Sequence, residues 1–243
     1  MKTMIFANRV MKEIIRDPIS MFFGVAFPLI LLILLSAINS SIPVDLFDIS
    51  SLAPGIAVFG LSFMALFAAQ VVAKDRASSF LTRLFTTPMT SQNFILGYTL
   101  PLIIMSVIQV AVCLFAALFL GLDFTMTIFA VMIILIPMAI IYIGLGLICG
   151  TLFSEKAATG ICGALLTNFA AWLSGVWVDL ELVGGIFKDI AHALPFFHAV
   201  EVGKAVLNGT YEAMLPHLWW VIAYAVIIMV ISIFVFKKKT QEV

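Results

Sequence analysis

The sequence predicts an all-α membrane protein with six transmembrane helices, and three observations predict it. Hydrophobic residues make up 63% of the 243, charged residues 11%, and the mean hydropathy is +1.20. Soluble domains carry roughly 25% charged residues, and a chain this short cannot bury so much apolar surface in its own core. Second, six apolar runs reach the length of about 20 residues that a helix needs to cross a bilayer. They are about 20–42, 53–73, 94–120, 125–152, 157–177 and 218–236. Third, no Asp, Glu, Lys, Arg or His lies inside any of them. Lipid-facing backbone must satisfy its own hydrogen bonds, so these runs read as helices rather than isolated strands.

The leader, residues 1–19, reads as an amphipathic interfacial helix. Met4, Ala7, Met11, Ile14 and Ile15 form an apolar stripe, while Lys2, Arg9, Lys12, Glu13 and Arg16 face the other way. Such a helix lies among lipid headgroups, and Pro18 permits the bend into the first span. The long polar lead and long apolar run are unlike a cleaved leader peptide.

Direction follows from the cations. Lys2, Arg9, Lys12 and Arg16 precede span 1; Lys74, Arg76 and Arg83 follow span 2; Lys156 follows span 4; Lys237, Lys238 and Lys239 form the tail. All lie on one side, leaving Lys188 and Lys204 on the other. Both termini are therefore expected in the cytoplasm. Trp172, Trp177, Trp219 and Trp220 mark the outer interface.

What the spans lack narrows the chemistry. A proton-driven carrier usually holds a buried carboxylate or histidine, and a metalloenzyme needs ligands at depth. An ion-gradient-driven secondary carrier is the alternative reading, weakened because only a sodium site of carbonyls and hydroxyls remains open to it. Candidate nucleophiles such as Ser62 and Cys113 have no acid or histidine at their depth. Cys113, Cys149 and Cys162 read as core-filling residues. No GxxxxGK[ST] occurs, so the chain has no P-loop and is not expected to be an enzyme by itself. Zero formal charge gives no reason to expect nucleic acid. Gln70, Gln109 and Asn168 are among the few polar residues in the spans; they line a route for amphiphilic cargo or bond neighbouring helices. Gly146 and Gly150, in "GLGLICG", read as a close helix contact, and Pro28, Pro101 and Pro137 as kinks.

Two segments outside the spans carry the remaining signal. In 74–90, "KDRASSFLTRLFTTPMT", helical spacing gathers Phe80, Leu81, Leu84 and Phe85, with Arg76 and Arg83 on another face. Asp75 suits a helix start and Thr87-Pro88 a stop. This greasy ridge with a basic rim fits either a groove in a cytoplasmic partner or the inner leaflet. Residues 178–217 hold all three histidines but no compact ligand spacing, so no metal is expected. Its amphipathic stretches, about 180–192 and 196–207, are too short and charged to span, and fit helices that dip into the outer leaflet and return.

Asp75–Pro88 reads D-R-x-x-S-x-L-x-R-L-x-T-T-P, followed by Thr90 and Gly97. This resembles the segment between spans 2 and 3 of ABC-2 type permeases. The likeness runs along nearly the whole chain, through "RDP" (16–18), six spans, "LP" (194–195) and "NG" (208–209). Ser79 stands where glycine is usual, and Tyr98 where a basic residue is usual. The resemblance implies one transmembrane domain over 1–243: spans 1–5 in 20–177, an outer re-entrant segment at 178–217, span 6 at 218–236 and a cytoplasmic tail at 237–243. It implies the permease subunit of an exporter in the cell membrane of a bacterium, driven by ATP hydrolysed elsewhere. Two cytoplasmic ATPase subunits would carry ATP and Mg and pair with two permease subunits, identical or not. The 74–88 helix would be the coupling helix, with Asp75, Arg76, Ser79, Phe80, Arg83 and Leu84 at the ATPase. Glu155 and Lys156 would make a second contact. The re-entrant segment would roof the path, with Phe196 and Phe197 as gate residues. Lipophilic or amphiphilic cargo is expected: a drug, an antibiotic or a lipid-like molecule.

Overall fold

The computed structural model describes residues 2–40, 48–78, 90–178 and 180–241. These residues form helices and connecting turns, with no strand among them. The first helix, α1, spans Lys2–Arg16. Its inward face differs from the expected stripe. Phe6, Ala7, Val10 and Ile14 are buried, whereas Met4 and Ile15 are exposed. The apolar surface of α1 is therefore split: one arc packs on the bundle, and the other stays free. Asp17 ends α1 and caps the next helix, accepting from the Ile19 amide at 3.2 Å and from Ser20 Oγ at 2.6 Å.

The membrane-crossing candidates follow. α2 runs Pro18–Asn39 and α3 runs Ile49–Ala77. α4 covers Ser91–Phe119, its start capped by Thr90. α5 covers Thr127–Leu152, and the last long helix, α10, covers Tyr211–Gln241. α3 is the axis of the molecule, with 94% of its apolar window buried, against 22% for α2. α5, part of α4 and the helices of 155–166 and 195–207 pack around it.

Glycine sets the closest of these contacts. A Cβ on Gly146 would lie 2.2 Å from the Ala65 carbonyl oxygen, and one on Gly150 would lie 2.6 Å from that of Ala69. The expected small-residue contact thus seats α5 directly on the backbone of α3. Proline accounts for the interruption in α5: its first piece ends at Ile134, three residues before Pro137, whose ring leaves no amide to continue the ladder.

Among the described residues, five helices are long and apolar enough to cross a membrane, or six if one bent pair is counted. The run expected as span 5, 157–177, is not among the five. It is helical over 155–173, designated α6, in three consecutive pieces with a π-helical turn at Ile161–Leu166. Thr159, Thr167, Asn168, Gly160 and Gly163 dilute its apolarity. The bent pair lies in the expected re-entrant segment. Three short helices occur there: α7 (Leu180–Val183), α8 (Gly185–Ala193) and α9 (Pro195–Leu207). The last two meet at 73°, at Leu194.

The helix expected to begin at Asp75 is corrected at its start. α3 continues through Ala77, so Asp75 and Arg76 occupy its final turn and Asp75 caps nothing. Ser79, Phe80, Arg83 and Leu84 lie outside the described residues.

Candidate functional site

Two polar clusters stand out on this bundle, one at each end of the long helices. The first is built on the last turn of α3. Asp75 is 1% exposed. Arg9 on α1 grips it with both nitrogens, Nη1 to Oδ2 at 2.5 Å and Nη2 to Oδ1 at 2.7 Å. Tyr98 on α4 donates its hydroxyl to Oδ2 at 2.8 Å. A planar guanidinium matches a carboxylate edge with two parallel bonds, so the pair fixes orientation as well as distance. One carboxylate thereby joins α1, α3 and α4. Burial opposes the charge on Arg9, but the bond to Asp75 and the charges of Asp75 and Glu13 outweigh it, and the net shift is upward. The network extends outward from Arg9 to Glu13 at 2.9 Å, and from Glu13 to Lys74 at 3.0 Å.

Gly97 makes this geometry accessible. A Cβ there would lie 2.3 Å from Phe6 Cδ1. Without it, Phe6 enters between Phe94 and Tyr98, edge-on at 5.6 and 4.9 Å between ring centres. That seat aligns α1 so that Arg9, one turn further on, reaches Asp75.

Arg76 points the opposite way. Its Nη1 donates to the carbonyl oxygens of Gly150 at 2.9 Å, of Thr151, and of Phe153 at 3.4 Å. The last carbonyls of a helix have no partner of their own, and a cation there also meets the negative end of the dipole. Arg76 thus closes the end of α5. Adjacent residues of α3 thus fasten different neighbours at this end of the bundle.

Beside this clasp lies an open cleft of about 870 Å³, whose walls include Arg9, Lys12, Arg16, Gln70, Lys74 and Glu155. Gln70 therefore faces a polar opening. Gln109 does not: it is fully buried, donates to Cys113 Sγ at 3.4 Å and abuts Gly60. Asn168 is exposed on α6 and donates to the Ala164 carbonyl at 2.7 Å. The three amides occupy three different settings. Glu155 and Lys156 are exposed in the first turn of α6, which Ser154 caps by accepting from the Ala157 amide at 3.4 Å.

The second cluster gathers where α8 breaks into α9. Phe196 is buried and stacks on Tyr142 of α5 at 5.8 Å, while Phe197 lies 4.4 Å from the His192 ring. The two phenylalanines thus face different neighbours. The break frees the Ala193 carbonyl from regular helix bonding, and α10 supplies its donors: Tyr224 Oη at 2.7 Å and Trp220 Nε1 at 3.3 Å.

Sequence reasoning missed Arg9 as an internal partner and treated Tyr98 only as a departure from a pattern. The signal available was a lone acid next to the end of a run, together with a tyrosine one residue after a glycine. Neither names its partner, because Arg9 and Asp75 are 66 residues apart.

The ABC-2 type transporter family matches the chain over residues 1–208. A chain of Pyropia yezoensis that bears the name transport permease ycf38 is 32% identical over 151 residues, which cover 58% of this chain and 52% of that one. The chain thus spans about half the length of this curated relative. A match over most of the sequence, on a bundle of long apolar helices, places this multi-pass membrane protein in the ABC-2 type transporter family.

Proposed function

We propose that the chain is the permease subunit of an ATP-driven exporter, and that it moves lipophilic or amphiphilic cargo out of the cytoplasm or inner leaflet. Nucleotide hydrolysis belongs to separate cytoplasmic ATPase subunits, two per complex, each working on one of two permease subunits. The observation that carries this reading is the Asp75 clasp. Asp75 fastens α1, α3 and α4 at the point where the chain leaves α3 for the basic, aromatic segment 79–88. A force applied to that segment therefore reaches three helices at once, and Arg76 passes it to α5.

In this mechanism both termini are cytoplasmic. ATP binding closes the ATPases on Phe80, Arg83 and Leu84, and Glu155 and Lys156 form a second footing. A cavity between the two permease subunits then changes the side to which it opens. The spans offer hydrocarbon with scattered hydroxyls and amides, which suits cargo with a large apolar part.

The test is coexpression with candidate ABC ATPase subunits, followed by a screen of lipophilic compounds for stimulated ATP hydrolysis. Arg83→Glu combined with Phe80→Ala is expected to leave folding intact and abolish both stimulation and export. Stimulation unchanged in that double variant, or export with no nucleotide hydrolysis, removes the reading.

A further inference from the structure

The histidines take no part in the function proposed above, yet their geometry is specific. His192 lies at the end of α8, His198 in the first turns of α9 and His217 on α10. His198 Nε2 is 2.8 Å from the His192 carbonyl oxygen. A carbonyl only accepts, so Nε2 carries the proton. In neutral His198, Nδ1 is therefore bare. It lies 2.6 Å from Nδ1 of His217, which must donate. One backbone carbonyl thus fixes both tautomers and places a single N–H between the bent pair and α10.

We propose that the His198–His217 contact is an acid-opened latch: it draws the α8–α9 bend tight against α10 and slackens when both imidazoles are charged. A first added proton can be shared, because His217 can shift its own proton to Nε2 and accept from His198. A second leaves N–H facing N–H and two positive charges side by side, which no tautomer relieves.

The surroundings set the direction. Burial lowers the affinity of His198 for a proton, and the charges of His217 and His192 lower it further. Its bond to the His192 backbone and the charge of Glu201 pull the other way, and the net shift is downward. Glu201 is itself paired with Lys204 at 2.9 Å. α10 contributes His217 and, near the break, Tyr224 and Trp220, which bond the Ala193 carbonyl. A downward shift means that the neutral form stabilises the closed bend. That contribution is full above the ordinary histidine value of 6.5 and is lost as pH falls below it. The two donors on the Ala193 carbonyl, a phenol and an indole, are not part of the imidazole pair, so acid loosens the bend without freeing it from α10.

The experiment is hydrogen exchange on the full chain in nanodiscs of phosphatidylethanolamine and phosphatidylglycerol, with rates normalised to the unstructured peptide at each pH. Protection over 185–207 is expected to fall about tenfold between roughly pH 7 and pH 4.5, while α3 stays unchanged. His217→Asn keeps an N–H toward His198 but cannot charge, so its acid transition is expected to vanish. His198→Gln, which can still donate to the His192 carbonyl, is the second variant, and α3 protection reports whether either is folded. A wild-type profile flat across this range, or the same transition in both variants, overturns the latch.

Discussion

The two ends of the bundle solve one problem with opposite chemistry. At the α3 terminus a permanent cation, Arg9, meets a fully buried carboxylate, and a tyrosine donates a further bond to Oδ2. At the α8–α9 break the polar partners are imidazoles and a backbone carbonyl. Charged pairs in bidentate geometry hold helices in one orientation and are costly to break by halves. Neutral rings held by single hydrogen bonds contribute less and depend on protonation. A rigid joint suits the end that would receive force, and an adjustable one suits the end that would yield.

The contrast can be broken in graded steps. Asp75→Ala leaves Arg9 half-buried without its main partner and frees the Tyr98 hydroxyl; a loss of about 3 kcal/mol is expected by denaturant unfolding in micelles. Gly97→Leu forces Phe6 from its seat and lifts α1 from α4. It is expected to cost about 2 kcal/mol and to raise protease sensitivity within 2–16. Tyr98→Phe removes one bond to a charged acceptor, about 1.5 kcal/mol, and leaves the Arg9 pair in place. Tyr224→Phe, at the other end, is expected to cost about 1 kcal/mol or less, since Trp220 still donates to Ala193. Stabilities that rank the Tyr224 variant above the Asp75 variant in damage would reverse the comparison.

The glycine contacts and the caps show what was legible in the sequence. Gly146 and Gly150, four apart in an apolar run, predicted a close approach, and the Ala65 and Ala69 carbonyls are what they approach. The break before Pro18 was readable from local chemistry. The stripe on α1 was misplaced because the wheel ranks residues by polarity alone. Phe6 and Val10 are buried by what lies across from them on α4, which no local rule contains. Asp75 looked like a helix start because acids favour that position; its buried partner overrides that preference. Gln109 and Asn168 were equal candidates in the sequence, and only packing separates a sealed amide from an exposed one.

The wide turn at Ile161–Leu166 has an effect beyond its own few residues. A π turn accommodates one surplus residue, so everything after it is rotated by about 100° relative to an unbroken α-helix. Asn168, Phe169 and Trp172 thus present a flank that ordinary winding would have turned elsewhere. Deleting one residue from 161–166 would restore regular winding and swing that exposed flank round to a new direction while every remaining side chain stayed the same.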